Sequence, residues 1–301
     1  MVIIGHKNQR EFLKKSLDNS KISHAYLFSG LDALGKKEIA LEFAELVNKQ
    51  KKDSPDIMLI KPELSIGISQ IEDMQKRLFL KPFSAPYKIA IIDDAEKMTT
   101  HAQNRLLKTL EEPRGQTIII LISSKPETLL ETIISRVQSL KFYPFSKKEM
   151  KNFLKEKVSD SELEKLIFIS EGRPGRAVNF LKDSEKMSDL WKMFNDIENI
   201  LESDIAYRFK YINDFLNKDN SEEFLNIFLK YFRLVLLSKV SGVKMDDKFK
   251  SDLSTQKIQE IIKLGERMNY LFIKTNINKK FALEILFLNL PNTLTNNQLH
   301  V

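Results

Sequence analysis

The 301-residue chain contains no cysteine. That absence excludes disulfides, thiolate nucleophiles and cysteine-ligated zinc. Glycine and proline are scarce, nine of each, too few for long disordered tracts. Long apolar runs are missing as well. The longest, Ile118–Ile122, has the length of a buried strand and falls far short of the roughly 20 residues a membrane helix needs. The opening MVIIGHKNQREFLKK carries charge where a signal peptide needs an apolar stretch, so a soluble, cytoplasmic protein with no membrane partner is expected. His6, His24, His101 and His300 do not fall at metal-ligand spacing, and no metal is expected.

What remains is ordinary for a globular chain, with 42% apolar and 30% charged residues, and its length admits two or three domains. The formal charge of +7 suits a nucleic-acid or acidic protein partner. Lysine is also spread along the whole chain, as base composition alone would spread it. In the first half, short apolar runs alternate with amphipathic stretches. Ala25–Phe28, Ile57–Ile60, Ile89–Ile92, Ile118–Ile122 and Gln138–Phe142 read as strands covered on both faces. Ile39, Phe43, Leu46 and Val47 share one helical face, and Met98 through Leu110 reads as a helix ending before Pro113. Such alternation implies a parallel sheet with right-handed crossovers. After Pro144 no strand pattern is left. Lys147–Leu181 reads as short helices interrupted at Glu171–Gly175. Beyond about Asp204 longer helices follow, with Phe224, Leu225, Phe228, Leu229, Phe232 and Leu236 as a core stripe. Val243–Ser254 reads as a loop, Asn278–Leu290 as a last helix stopped at Pro291, and Asn292–Val301 as a frayed tail.

Ser29-Gly30-Leu31-Asp32-Ala33-Leu34-Gly35-Lys36-Lys37 follows the first strand and opens a helix, the setting of a phosphate-binding loop, G-x-x-x-x-G-K-[ST]. In a working loop, backbone N–H groups hold phosphate oxygens, the lysine reaches the terminal phosphates, and the Ser or Thr hydroxyl ligates magnesium. Gly30, Gly35 and Lys36 match. Lys37 does not, because an ammonium has no acceptor oxygen and repels a metal. Ala33 replaces a frequent glycine, which restricts access to positive φ, and Asp32 adds negative charge beside the phosphate seat. The loop is expected to survive as architecture, with ATP binding without hydrolysis left open.

Asp93 and Asp94 end the apolar run Ile89–Ile92. In a Walker-B arrangement the first acid orients magnesium and the second polarises water. Asp93 suits the first role. Asp94 is one methylene short of the usual Glu. The plainer reading has these acids capping the next helix or pairing with Lys36.

Further residues extend the pattern: Gly5-His6 with Gln9, Ser23–Gly30, Ile91–Met98, Ala102–Pro113, and Pro126, Leu129-Leu130, Thr132-Ile133 and Ser135-Arg136. Together they resemble the bacterial clamp-loader subunits of the AAA+ family over nearly all of the first 180 residues; the last third is similar only in helical pattern. The resemblance implies an α/β fold: a P-loop AAA+ RecA-like parallel sheet domain (1–145), a small helical lid domain (146–204) and an all-α collar domain (205–301). It also implies a heteropentamer of gamma/tau, delta and delta-prime subunits that places a sliding clamp on primer-template DNA. The damage at Ala33 and Lys37 points to the delta-prime class, an accessory subunit of DNA polymerase III with no ATPase of its own. An ATP-hydrolysing gamma/tau-type motor is the alternative, and would need Lys37 tolerated beside magnesium. Family members often carry a four-cysteine zinc module between the first helix and the second strand. Asn48–Asp56 has no cysteine, so no zinc is expected there. A free-standing nucleotide kinase would need an intact loop and an acceptor site, and no helix-turn-helix or single-strand platform stands out.

Relatives usually read Ser-Arg-Cys where this chain reads Ser135-Arg136-Val137. The resemblance makes Arg136 an arginine finger for the neighbouring subunit's nucleotide, a role suited to a planar, permanently charged guanidinium. Pairing within its own domain is the plainer reading. Glu171–Arg176 stands where the lid's nucleotide-sensing arginine is expected. Gly175 occupies the usual Arg position, with Arg173 and Arg176 nearby. Ser123-Ser124 stands at the sensor-1 position, where hydroxyls are as often turn formers.

Overall fold

The computed structural model describes residues 5–49, 54–113, 115–215, 220–241, 253–274 and 277–291. The expected tail Asn292–Val301, most of the expected loop Val243–Ser254, part of Asn48–Asp56 and His300 lie outside those residues. The chain divides into two compact units, Met1–Lys182 and Asp183–Val301.

The first unit is built on five strands: β1 (Ala25–Ser29), β2 (Ile57–Ile60), β3 (Lys88–Ile92), β4 (Thr117–Ser123) and β5 (Gln138–Lys141). They form one sheet in the order β2-β3-β4-β1-β5, and every pairing is parallel. β1, β3 and β4 are buried along their whole length, as continuous apolar runs require when both faces are covered. β5 is an edge strand on which Leu140 alone is buried.

Alternate residues feed two cores. Tyr26, Phe28, Ile89 and Ile91 face α1 (Lys7–Asp18) and α2 (Lys36–Asn48); Ala25, Leu27, Ala90 and Ile92 face α3 (Ile68–Phe79) and α4 (Thr100–Glu111). On α2 the buried face is Ile39, Ala40, Phe43, Ala44 and Val47. Leu46, assigned to that face by its spacing, is half exposed beside the groove between α1 and α2. α4 begins at Thr100 instead of Met98, because Thr99 accepts a hydrogen bond from the Ala102 amide at 3.2 Å and caps the helix. Met98 is drawn into a parallel bridge with Ile66. After the short α5 (Glu131–Ile134) and β5 come α6 (Lys147–Leu154), α7 (Asp160–Ser170) and α8 (Pro174–Lys182). Pro174 and Gly175 do not interrupt a helix; they form the first turn of α8, where proline's missing N–H costs nothing.

The second unit holds α9 (Ser184–Glu202), α10 (Ile205–Phe215), α11 (Ser221–Ser241), α12 (Thr255–Lys274) and α13 (Lys279–Leu288). α11 is its spine: Phe224, Leu225, Phe228 and Phe232 are fully buried, and the rings of Phe224 and Phe228 contact Phe287 of α13. Arg208 is also buried, with 1% of its surface exposed. Its guanidinium donates to the carbonyls of Ile200, Leu201, Phe287, Leu290 and Pro291. One cation thereby closes the carboxyl ends of α9 and α13, where the helix dipoles concentrate negative charge.

Candidate functional site

The loop expected to bind phosphate leaves the carboxyl end of β1, and Asp93 leaves that of β3. This is the edge of a parallel sheet where α/β proteins place ligands. Gly30 has φ 145°, and a Cβ there would lie 2.4 Å from the Phe142 carbonyl oxygen, so only glycine fits. Ala33 adopts φ 60°, although an L-residue in the left-handed region costs about 1–2 kcal/mol. Two hydrogen bonds hold it there. The Gly175 N–H donates to the Ala33 carbonyl at 2.9 Å, and the ring of His6 meets the Leu34 carbonyl at 2.8 Å. His6 is buried and stands edge-on to Phe142 and Phe145.

Lys36 is buried and turned back on its own loop. Its ammonium donates to the carbonyls of Gly30 and, at 2.7 Å, Leu31. Burial pulls its pKa below the ordinary lysine value, against Asp32, Glu96, Asp93 and Asp94. Lys37 forms an ion pair with Asp93, Nζ to Oδ2 2.8 Å, with both side chains partly buried. Burial alone would lower the Lys37 pKa, but the Asp93 contact outweighs it and the value is raised. The expectation that these acids pair with Lys36 is therefore corrected: the carboxylate of Asp93 goes to Lys37, and that of Asp94 to Lys97 at 2.9 Å. Asp94, with φ 51°, precedes a short turn (Ala95–Lys97) without capping it through its side chain.

Together Gly35, Lys36, Lys37, Asp93, Asp94 and Ser124 line a cavity of about 200 Å³, below the ~300 Å³ at which small-molecule sites begin. Magnesium and a triphosphate do not fit this set. Position 37 offers an ammonium where a metal needs a hydroxyl, that ammonium already neutralises the metal-orienting acid, and the phosphate-reaching Lys36 is spent on backbone carbonyls. Among the described residues no cluster of three or more His, Cys, Asp or Glu could hold a metal ion.

The remaining expected site residues are distributed around this centre. Ser124 donates through its amide at 3.1 Å and through its hydroxyl to Glu96. Burial would raise the Glu96 carboxyl, but these contacts hold it below the usual range. Arg176 pairs with Glu171 at 3.0 Å and lies over the Phe180 ring; Arg173 also pairs with Glu171. Gly175, at the expected sensor position, touches the loop through its backbone instead, and a Cβ there would stand 3.0 Å from the Ala33 oxygen. Arg136 lies on the surface after α5. Its guanidinium meets Glu111 of α4 at 2.8 Å, the Thr132 carbonyl at 3.0 Å and the Ser135 hydroxyl at 3.2 Å. His24 bonds the Leu110 carbonyl at 3.1 Å. Sequence reasoning missed His6 and Glu96 as parts of the centre. The signal for both lay in the stretches that carry the resemblance, Gly5-His6 and Ile91–Met98, but neither residue was assigned a part in the centre.

Residues 5–146 match the family described as DNA polymerase III, delta subunit. The delta-prime subunit of DNA polymerase III from Bacillus subtilis is 31% identical over 255 residues, covering 77% of each chain. The chain belongs to the DNA polymerase III delta-prime family. Two solved structures share its fold. A gamma subunit-related protein from Thermotoga maritima aligns over 93% of this chain and 97% of its own, with TM-score 0.57 and 23% identity. The RuvB Holliday junction branch migration motor of the same organism aligns over 95% and 87%, with TM-score 0.52 and 16% identity. The α/β fold with a parallel sheet, inferred from strand and helix alternation, is the fold of these two structures. Among the described residues no helix is long and apolar enough to cross a membrane.

Proposed function

We propose that this delta-prime-family chain is a non-hydrolysing stator of a cytoplasmic clamp-loader heteropentamer, beside gamma/tau-type and delta subunits. It holds no nucleotide or zinc of its own and lends Arg136 to a neighbour's nucleotide site. Residues 146–204 serve as lid and 205–301 as collar, and the assembly loads a sliding clamp on primer-template DNA. The observation that carries this reading is the Lys37–Asp93 ion pair: a side-chain cation fills the electrostatic role of magnesium, so binding a metal-nucleotide would first require breaking that pair. An ATP-hydrolysing role like that of the gamma/tau motors needs the same carboxylate free.

Equilibrium binding of ATP to the isolated chain, with and without magnesium, tests the closed loop. No metal-dependent binding and no turnover are expected; tight metal-dependent binding would overturn the reading and favour a motor. For the finger, Arg136→Ala in the assembled loader should lower its ATPase while assembly persists, since fingers of this kind contribute about 10³–10⁵ in rate at the site they serve.

A further inference from the structure

Glu111 occupies a position that helix energetics disfavour. It ends α4 and is followed by Glu112 at the C-cap, so two carboxylates meet the negative end of a helix dipole. The compensating charge comes from Arg136, 25 residues away in sequence, whose Nη2 lies 2.8 Å from Glu111 Oε1. The other guanidinium nitrogen is held by Thr132 and Ser135 of its own turn. Glu111 is thus the one charged partner of Arg136 among the described contacts. Both side chains remain substantially exposed, at 37% for Arg136 and 50% for Glu111. An ion pair this exposed orients a side chain but exchanges readily, and a polyphosphate, with more charge and bidentate geometry, outcompetes a single carboxylate for a guanidinium.

We propose that Glu111 is a positioning residue for Arg136, a resting partner that keeps the guanidinium on its own subunit until a neighbour's triphosphate displaces it. The inference rests on the finger reading of Arg136, and the two can fail separately. The pair competes with the phosphate, so removing the carboxylate charge should favour finger engagement.

The test uses the complete loader assembled with wild-type or variant chain. The reference quantity is the part of its ATPase that Arg136→Ala abolishes. In Glu111→Gln loaders kcat/KM for that part should rise about twofold to fivefold, the range an exposed ion pair commands. Glu112→Gln, which removes the neighbouring charge without touching Arg136, should leave it unchanged. In an Arg136→Ala background the Glu111→Gln change should be silent. If Arg136→Ala itself leaves the ATPase intact, the finger reading fails. If Arg136→Ala acts but Glu111→Gln does nothing, lowers the rate, or acts equally without the arginine, the resting-partner role is overturned while the finger stands.

Discussion

The phosphate loop and the helical unit each enclose a cation, and each satisfies it in a different currency. Lys37 is answered by one carboxylate, Asp93, at the rim of a cavity. Arg208 donates to five carbonyls drawn from the ends of two helices, with Asp204 as a more distant counter-charge. A carboxylate at a cavity mouth can be rehydrated or offered another cation. The five carbonyls grip Arg208 from several directions at once, and two of them, Ile200 and Phe287, also accept from the Ser203 hydroxyl and the Leu290 amide, so this cation belongs to a wider main-chain network. A cation can therefore be a plug in one place and a bond between segments in another, and its acceptors tell which.

The sharpest way to break this contrast is Arg208→Leu. It removes the shared donor from five carbonyls at two helix ends, of which Ile200 and Phe287 keep another partner, and should destabilise the second unit by about 3 kcal/mol. Thermal unfolding followed by the fluorescence of Trp191, the chain's single tryptophan, reads that unit directly; a loss below ~1 kcal/mol would mean that water replaces the guanidinium.

The two units should also part company with pH. In the first, burial would raise the Asp56 carboxyl, but the amides of Phe83, Ser84 and Ala85 together with Lys88 hold it low, and Glu96 is likewise held low. Carboxyls depressed in the fold contribute stability above their unfolded pKa and lose it as pH falls through the folded value. In the second unit, burial pushes Tyr231 up to about 12, and burial with the Asp196 contact raises Tyr211 as well. Raised phenols contribute stability below about pH 10 and lose it as pH climbs through the folded value. Acid should loosen the sheet unit first and alkali the helical one; hydrogen exchange on each unit at pH extremes measures the order.

The smallest effect is expected from Lys37→Met. Its pair with Asp93 is only partly shielded, so removal should cost at most about 1 kcal/mol. A cost near that of Arg208→Leu would erase the distinction between the two cations.

The strands were legible to within a residue because β1, β3 and β4 are buried on both faces and so carry unbroken apolar runs. The start of α4 was less so: Met98 continues the apolar pattern by composition, yet it packs beside Ile66, and only the Thr99 cap marks the true beginning. At the site, the loss of a hydroxyl at position 37 was plain. Which lysine meets Asp93 was not, since successive residues of a helix point about 100° apart and the choice depends on where β3 ends beside α2. The Gly175 contact is made by a main-chain amide and a main-chain carbonyl, so its trace in residue type is no more than the glycine itself, where an added Cβ would stand 3.0 Å from the Ala33 oxygen.

That last joint has a consequence for how the protein can respond to anything nearby. In a subunit whose lid grips nucleotide through an arginine, the angle of the lid reports what lies in the cleft. Here the first turn of α8 is fastened to the loop through peptide groups, so closely that an added Cβ would stand 3.0 Å from the Ala33 oxygen. The seat of this turn is written into the polypeptide itself, and it holds whether or not the cleft is filled.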